Sequence, residues 1–356
     1  MREAAENRRS IVGRGAAGNP KNRFERIEAE PDPLDPREEP RPETIYLRDH
    51  SRSIIARNDS PDIGFDASIN PYRGCSHGCV YCFARPTHEY LGFSAGLDFE
   101  SKVLVKEEAP ELLRGQLSSP RWKPKVLSMS GVTDPYQPVE KKLGLTRRCL
   151  EVLAEFRNPV AIVTKNHLVT RDVDLLSELA GHGAAMVAIS LTTLDDDLRR
   201  VMEPRTSRPV RRLAAIERLA GAGIPVGVMT APVIPGLTDH ELPSLLSAAA
   251  EAGATFAAYV PVRLPGAVRP IFEDWLERHF PDRKEKVLNR IRSMRDGRLN
   301  DASFGSRMKG EGIFAQHIGR LFEMGCRRAG IENDRSPKLS TAAFRRADEG
   351  QPTLFD

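Results

Sequence analysis

The 356-residue sequence predicts an α/β protein built on a parallel sheet. From about Ile54, short apolar runs alternate with amphipathic stretches of helical length, and strands buried on both faces of a parallel sheet have this apolar character. Because β–α–β crossovers are right-handed, the alternation forms an open sheet or a barrel. We find about six strands, too few for a closed eight-stranded barrel. We therefore expect a partial (β/α)6 barrel.

The elements of this core follow one another along the chain. A first strand is expected just before Cys75. The other predicted strands cover residues 125–130, 160–164, 185–190, 224–230 and 255–260. The predicted helices cover residues 146–156, 172–180, 210–222 and 241–252. The predicted core therefore spans residues 54–260.

The first 45 residues differ from this core and are expected to form a disordered tail. They contain nine Lys or Arg, ten Asp or Glu and six Pro, and their few apolar residues show no period. Such a segment cannot bury enough apolar surface to offset the entropy lost on ordering. Two short stretches, Arg14-Gly15 and Asn22-Arg23-Phe24, are the points at which the tail could dock.

Beyond the core we expect a basic helical extension over residues 261–332 and a short tail over residues 333–356. The extension's predicted helices cover residues 272–279, 283–294 and 312–329.

Charge is concentrated in this extension. Between Arg263 and Arg328 there are 15 Lys or Arg and nine Asp or Glu, a net charge of +6. Such a surplus attracts a polyanion, although composition alone favours a solvated helical face. The interspersed aromatic residues could stack on bases; they are Phe272, Trp275, Phe280, Phe304, Phe314 and Phe322.

Composition excludes other classes of protein. The chain has 53 Lys or Arg, 49 Asp or Glu and five cysteines. No run of about 18 apolar residues is present, so no membrane span is expected. The stretch from Met1 to Arg14 lacks the apolar region of a secretory signal, and an odd number of cysteines argues against a disulfide framework. We therefore expect a cytoplasmic protein with reduced thiols; the sequence does not determine its oligomeric state.

Three of the five cysteines lie in the stretch Cys75-Ser-His-Gly-Cys79-Val-Tyr-Cys82. A loop after a strand of an α/β sheet lies at the functional edge of that sheet. An iron–sulfur cluster held by three thiolates would leave one iron open for another ligand. The alternatives are structural or redox-active thiols and a structural zinc site with His77 or His88 as fourth ligand. Zinc motifs usually contain two separated ligand pairs, and no second C-x2-C pair is present.

The C-x3-C-x2-C spacing, with Tyr81 before the last cysteine, resembles the signature of radical S-adenosylmethionine (SAM) enzymes. The resemblance implies a 4Fe–4S cluster whose open iron binds SAM. Reduction then cleaves SAM to a 5′-deoxyadenosyl radical that abstracts a hydrogen atom from a substrate. A one-electron reductant, such as a flavodoxin or a ferredoxin, is the implied partner. By the same resemblance Cys75, Cys79 and Cys82 are the cluster ligands, and Tyr81 lies near the adenine.

Three further residues are the implied polar contacts to the methionine and ribose parts of SAM: Thr133, Lys165 and Ser190. A lysine at a strand end suits a carboxylate because its ammonium is a compact point charge. Other interpretations stay open, since Lys165 could be a solvated loop residue and Ser190 could cap the following helix. Likewise, Asp134 could belong to an ordinary turn and Arg205 to a surface ion pair.

The residues after several strands resemble, more narrowly, the branch related to spore photoproduct lyase, which repairs a thymine dimer without light. The resemblance covers roughly residues 54–330 and implies a lyase-like activity with nucleic acid as the leading substrate class. The stretches that carry it are Ser130–Glu140, Thr164–Asn166, Ser190–Leu194, Glu203–Arg205 and Ala231–Asp239.

One departure from this branch concerns the cysteine that returns a hydrogen atom to the product radical. The corresponding position here is Gly131, flanked by Ser130 and Val132, so no thiol is available. The remaining thiols are Cys149, expected in the apolar core, and Cys326, a catalytic candidate on a late helix. Two thiols so far apart cannot hold a second cluster of the usual kind.

Two other functions stay open at this stage. One is a non-enzymatic nucleic-acid-binding protein stabilised by zinc or a cluster, and the other is a radical enzyme that acts on a protein or peptide. No G-x-S-x-G, H-E-x-x-H or P-loop motif points to a different chemistry.

Overall fold

The computed structural model describes residues 10–25, 43–129, 131–333 and 336–346. Ser130 lies outside these residues, as do residues 1–9 and 26–42 of the first predicted tail and residues 334–335 and 347–356 of the second. The strands are β1 (Ile45–Arg48), β2 (Ile55–Arg57), β3 (Ala67–Ile69), β4 (Tyr72–Arg73), β5 (Lys102–Val105), β6 (Leu127–Met129), β7 (Val160–Thr164), β8 (Ala185–Ser190), β9 (Val226–Val233), β10 (Phe256–Pro261) and β11 (Glu332–Asn333).

The α-helices lie between these strands and in the C-terminal part of the chain. They are α1 (Leu97–Ser101), α2 (Ala109–Ser118), α3 (Glu140–Leu143), α4 (Leu145–Phe156), α5 (Val173–Gly181), α6 (Asp196–Met202), α7 (Pro209–Gly221), α8 (Leu242–Glu251), α9 (Val268–His279), α10 (Pro281–Ser293), α11 (Ser306–Lys309) and α12 (Gly312–Ala329). Within the described ranges, no helix combines the length and apolar character needed to cross a membrane.

The main sheet has the order β11-β10-β9-β8-β7-β6-β3-β2. The strands from β3 to β11 pair in parallel, and β2 pairs antiparallel with β3 at one edge. The prediction of an α/β fold on a parallel sheet is confirmed. Strands β7 and β8 have the predicted bounds, because runs of apolar residues satisfy a strand covered on both faces.

A second, three-stranded sheet has the order β1-β5-β4. Its strand β4 pairs antiparallel with β5 and ends at Arg73, beside the cysteine-rich stretch. The sequence predicted one strand before Cys75, but the structure has two. The strand that belongs to the main sheet, β3, ends earlier, at Ile69. The cysteine-rich stretch is therefore attached to both sheets.

The two largest apolar cores among the described residues position the site. The main core lies between the large sheet and helices that include α2, α4, α5, α7, α8 and α12. The second core contains Trp275 of α9, residues of α6 and α10, and Cys79 of the cysteine-rich stretch itself. The C-terminal helices therefore pack directly against the candidate site.

The aromatic residues of these C-terminal helices correct one prediction. Phe272, Trp275 and Phe322 are buried, so the expectation that they stack on bases is wrong for these three. They form the apolar faces of α9 and α12, which the helices need in order to pack. Several basic residues are also paired with acidic neighbours, as in Arg269–Glu273, Arg278–Asp274 and Lys284–Glu277.

Both predicted tails contain segments that pack on the fold. The expectation of a disordered tail over residues 1–45 is wrong for residues 10–25, which we call the N-terminal strap; its residues Ile11 and Arg14 are buried. In the other tail, the Ser340 amide donates to the Gly183 carbonyl at 2.9 Å. Both segments were missed because backbone and polar contacts, which leave no periodic pattern, fix much of their position.

Candidate functional site

The cysteine loop, residues 73–82, lies beside the carboxyl ends of the main strands. Cys75 and Cys79 are buried, and Cys82 is partly exposed. Gly74 and Gly78 have φ angles of +79° and +72°, a backbone conformation that favours glycine because it has no Cβ. The loop therefore turns tightly enough to present three thiols within eight residues.

Residues after β6 fix the start of this loop. The Thr133 hydroxyl donates to the Gly74 carbonyl at 2.7 Å, and the Gln137 side-chain amide donates to the same carbonyl at 3.2 Å. The Gln137 side-chain oxygen accepts from the Ser76 amide at 3.1 Å. Thr133, which the sequence predicts as a SAM contact, thus uses its hydroxyl to hold the backbone of the cysteine loop.

The end of β7 is joined to the same loop through Asp134. Its carboxylate accepts from the Thr164 hydroxyl at 2.7 Å and from the Lys165 amide at 2.9 Å, and it lies 3.4 Å from Nδ1 of His77. Burial alone lowers the pKa of His77, but Asp134 and the neighbouring Cys75 outweigh it and raise that pKa to about 10. Asp134 therefore connects the end of β7 to the cysteine loop, and it is more than a turn residue.

Glu203 is the second buried carboxylate of the site. It accepts hydrogen bonds from the Tyr81 hydroxyl and, at 2.7 Å, from the Thr192 hydroxyl, and it forms an ion pair with Arg212. The Lys165 ammonium lies 3.9 Å from the same carboxylate. Burial raises the pKa of Glu203, and the Arg212 guanidinium opposes that shift.

Lys165 is a cation next to the thiols, and only 14% of its side chain is exposed. Its ammonium lies 5.8 Å from the centre of the Tyr81 ring and 3.4 Å from the Ala231 carbonyl oxygen. Burial lowers the pKa of Lys165, whereas Cys79 acts in the opposite direction. The interpretation of Lys165 as a solvated loop residue is therefore excluded. Burial also raises the pKa of the Cys79 thiol well above its usual value.

Ser190 ends β8 at the same edge of the sheet. It is buried, and its carbonyl accepts from Arg212 at 3.0 Å. Arg212 thus connects the end of β8 to Glu203. Helix α6 begins only after Asp195, whose side chain caps it, so Ser190 is not the cap.

Cys326 lies elsewhere. It belongs to the main core on α12, and α12 leads into β11, which pairs with Phe256 at the amino end of β10. This is the edge of the sheet opposite to the cysteine loop. The structure therefore does not bring Cys326, the catalytic candidate, to the site. Burial raises the pKa of its thiol to about 11, and Cys149 is likewise buried in the main core.

The N-terminal strap covers the outer side of the cysteine loop. The amides of Gly15 and Ala16 donate to the Glu100 carboxylate at 3.0 and 2.9 Å. Glu100 is fully buried and forms an ion pair with Arg85, whose Nε donates to the Cys79 carbonyl at 3.0 Å. A continuous chain of polar contacts therefore joins the strap to the backbone of a predicted cluster ligand.

Gly15 fits against this loop because it has no side chain. A Cβ at Gly15 would lie 1.9 Å from the Gly78 carbonyl oxygen. Further along the strap, the Asn22 side-chain amide donates to the Glu89 and Phe93 carbonyls, both at 2.9 Å. The two docking points proposed from the sequence, at Arg14-Gly15 and around Asn22, are thus contact points in the structure.

The chemistry of the donor set can be compared with the groups that these thiols could bind. Among the described residues, no three His, Cys, Asp or Glu side chains are grouped so as to hold one metal ion, whereas structural zinc needs four ligands around one centre. His77 faces Asp134, and His88 packs against Phe93 and Phe99. An iron–sulfur cluster has a separate iron for each thiolate, so thiols spread around a tight loop suit it.

The chain matches a known protein family. The model of the Radical SAM superfamily matches residues 69–249, about half of the chain. The chain therefore belongs to the radical SAM superfamily. The matched region contains the cysteine loop and strands β4 to β9, together with Asp134, Lys165 and Glu203.

Individual relatives agree with this assignment. An uncharacterized protein of Mycobacterium tuberculosis is 42% identical over 220 residues, which are 61% of this chain and 65% of that protein. The match thus spans just under two thirds of the relative's length. An uncharacterized protein of Methanocaldococcus jannaschii is 29% identical over 222 residues, 62% of this chain and 79% of that protein.

Solved structures show the same fold. Spore photoproduct lyase complexed with dinucleoside spore photoproduct superposes with a TM-score of 0.59 and 16% identity, covering 81% of this chain and 80% of that one. A variant of the same lyase gives a TM-score of 0.59 over 82% and 81% of the two chains. The resemblance to this branch stated from the motifs is thus matched by a likeness of fold.

Two residues of the site were missed from the sequence. Glu203 lies in one of the stretches that carry the family resemblance and Arg212 lies in a predicted helix, but no sequence motif assigns a role to either residue. Nothing in their neighbours along the chain marks them, because their importance comes from burial next to Tyr81 and Lys165. Only the folded sheet edge brings these four residues together.

Proposed function

We propose that this protein is a radical SAM enzyme whose single 4Fe–4S cluster is held by Cys75, Cys79 and Cys82. The observation that carries the proposal is the tight, three-thiol loop beside Lys165 at the carboxyl edge of a parallel sheet. When bound, the cluster and SAM supply a 5′-deoxyadenosyl radical that removes a hydrogen atom from the substrate. The proposal includes an open, partial (β/α)6 barrel, supported by the linear strand order.

The chain's own residues divide the remaining work. We propose that Lys165 binds the SAM carboxylate, since it is a largely buried cation among the strand ends. We also propose that Tyr81 lies along the adenine while its hydroxyl is held by Glu203. Ser190 remains the proposed ribose contact. Thr133 positions the cysteine loop through the Gly74 carbonyl. The apolar wall around Trp275 excludes water from the loop.

A one-electron reductant, such as a flavodoxin or a ferredoxin, and a cytoplasmic location complete the proposal. Nucleic acid is the leading substrate class, and lyase-like chemistry is the leading reaction class. Gly131 nonetheless lacks the thiol that the photoproduct lyase reaction needs. A different group must therefore return the hydrogen atom to the product radical, or the reaction must end without that return.

The test is anaerobic reconstitution with iron and sulfide, followed by iron analysis and an assay for 5′-deoxyadenosine with SAM and a strong reductant. We expect about four irons per chain and 5′-deoxyadenosine from the unsubstituted protein. Cys79→Ala should lose both, whereas Cys149→Ala, which removes a buried thiol outside the loop, should retain both.

Two outcomes would overturn the proposal. One is a single zinc per chain in place of iron, which would favour a zinc-stabilised binding protein. The other is equal 5′-deoxyadenosine from Cys79→Ala and the unsubstituted protein.

A further variant, Lys165→Met, tests the SAM contact. It should retain its iron but require at least about tenfold more SAM, the loss expected for a charge-assisted hydrogen bond.

A further inference from the structure

A cavity of about 490 Å³ opens beside the cysteine loop. Ser68 and Asn70, at the end of β3, and Gly131, after β6, form part of its lining. Val132 also lines it and packs against the apolar group that contains Cys75. The volume lies in the range of small-ligand pockets, about 300–1,000 Å³. The cavity therefore has the place and the size of a substrate site.

The charge of this cavity is one-sided. Arg57, Arg73 and Lys106 line it, and none of its described lining residues is Asp or Glu. Arg73 is neutralised outside the lining by Asp49, at 2.9 Å from Nε to the carboxylate. Two cationic side chains, Arg57 and Lys106, have no ion pair among the described residues. An anion would be attracted to this cavity.

Lys106 is the strongest sign of a missing ligand. Only 8% of this residue is exposed, yet its ammonium has no hydrogen bond or ion pair with any described residue. Nζ of Lys106 is not among the fully buried atoms that lack a partner, so the ammonium keeps contact with solvent in the cavity, where an anion could reach it. Burial and the nearby Arg73 lower the pKa of Lys106, and Asp49 acts against them. An anion bound beside Lys106 would supply the partner that the fold leaves out.

The mouth of the cavity carries an aromatic surface. Tyr90 lines the cavity and is 70% exposed, and its ring lies 4.8 Å from that of Phe24 in the N-terminal strap, which is 52% exposed. The Arg23 guanidinium lies 4.7 Å above the Phe24 ring. Exposed rings next to cations form the platforms on which nucleobases stack.

We propose that this cavity binds a phosphate group of the substrate between Lys106 and Arg57, with the attached base stacked on Tyr90 at the mouth. A phosphate suits two cations, because a phosphate monoester carries a charge of about −1.5 to −2 and the phosphodiester of a strand still presents two free oxygen atoms, one for each cation. The phosphate belongs to a single nucleotide or to a nucleic-acid strand. That the ligand is the substrate rests on the proposed radical SAM function; that the cavity binds phosphate does not.

Binding is measured by fluorescence anisotropy with a fluorescein-labelled single-stranded hexathymidylate, using the full chain without SAM or reductant. Lys106→Gln should weaken binding at least about tenfold and reduce the slope of log affinity against log salt by about one, as loss of one phosphate contact requires. Arg57→Gln, a change at an exposed side chain that cannot disturb the core, should act in the same direction. The matched control, Lys284→Gln on α10, should bind within about twofold of the unsubstituted protein.

Competition identifies the source of the phosphate. Thymidine 5′-monophosphate that displaces the labelled strand supports a nucleotide ligand, and displacement by unlabelled strand alone supports an internal phosphodiester. The phosphate site is overturned if neither probe binds, if Lys106→Gln and Arg57→Gln bind like the unsubstituted protein, or if Lys284→Gln weakens binding equally. Unaltered binding by Tyr90→Ala would overturn the stacking part.

The two proposals can fail separately. Formation of 5′-deoxyadenosine by the unsubstituted protein reports on the radical SAM function alone, whereas the binding assay contains neither SAM nor reductant. Absence of 5′-deoxyadenosine with intact, Lys106-dependent binding would leave a phosphate-binding cavity in a protein without radical chemistry. The reverse result would leave an enzyme whose substrate binds elsewhere.

Discussion

The N-terminal strap and the C-terminal helices flank the same cysteine loop, yet they are held there by different forces. The helices bury aromatic and aliphatic side chains, with Trp275 packed in the same apolar core as Cys79. The strap contains no helix or strand over residues 10–25, and near the cysteine loop its backbone amides donate to the buried Glu100 carboxylate. One wall of the site is therefore apolar and the other polar.

The apolar and the polar wall should contribute differently to the stability of the whole fold and to the local order of the cysteine loop. Apolar burial scales with area and contributes to the stability of the whole fold. Hydrogen bonds to a buried carboxylate contribute less overall, but leaving one unmade is costly. We expect damage to the helices to lower global stability, and damage to the strap to loosen the cysteine loop while most of the fold stays intact.

The largest effect should come from Trp275→Ala on the apolar wall. Loss of a fully buried tryptophan is expected to lower the free energy of unfolding by about 4 kcal/mol, measured by urea unfolding. The control is Ile313→Ala, at a residue of the same helical region that is 82% exposed, with an expected change below about 0.5 kcal/mol. Equal midpoints for the two variants would contradict the assignment of this wall to apolar packing.

The next effect should come from Glu100→Gln on the polar wall. Breaking a buried ion pair is expected to cost about 3 kcal/mol, and the loss should appear as faster hydrogen exchange at the Gly15 and Ala16 amides and as reduced iron retention. Glu107→Gln alters a solvent-exposed pair with Arg48. It should lower the free energy of unfolding by less than about 1 kcal/mol and leave exchange at these amides and iron retention unchanged. Unaltered exchange at Gly15 would show that the carboxylate does not hold the strap.

A smaller effect is expected from Gly15→Ala, which tests the close approach of the two backbones. The added methyl group would overlap the Gly78 carbonyl, and relief of such overpacking costs about 2 kcal/mol. That cost predicts roughly 30-fold faster proteolysis within the strap. Gly64→Ala is the control, since a Cβ there meets no atom within 4 Å; equal proteolysis of both variants would contradict the contact.

The smallest effect should come from Asn22→Ala, farther from the thiols. It removes the two hydrogen bonds to the Glu89 and Phe93 carbonyls, for an expected cost of about 1 kcal/mol. We expect faster exchange around Asn22 and Phe24 with full retention of iron. Iron loss equal to that of Glu100→Gln would show that the strap acts as one unit and not through Glu100. Asn289→Ala, on α10, serves as the control.

Prediction from sequence succeeded where burial follows a regular pattern. The stretches Val160–Thr164 and Ala185–Ser190 were predicted with the bounds that the structure has, and Gly312–Ala329 forms the predicted last helix. It failed for Phe272 and Trp275, because an aromatic residue on a basic helix is compatible both with stacking on bases and with packing in a core. Only the position of α9 against the cysteine loop separates these alternatives.

The amino-acid sequence by itself determined the parallel α/β core and the three-thiol loop, because strand burial and ligand spacing are local properties of the chain. The tertiary structure alone decided that Glu203 and Arg212 join Lys165 and that Cys326 lies at the opposite edge of the sheet. It also decided that Lys106 lines the cavity without an ion pair among the described residues. These features depend on residues far apart in the chain, whose distances only the packed sheet fixes. The strap shows the same rule, since Gly15 is an ordinary polar-tail residue until it meets Gly78.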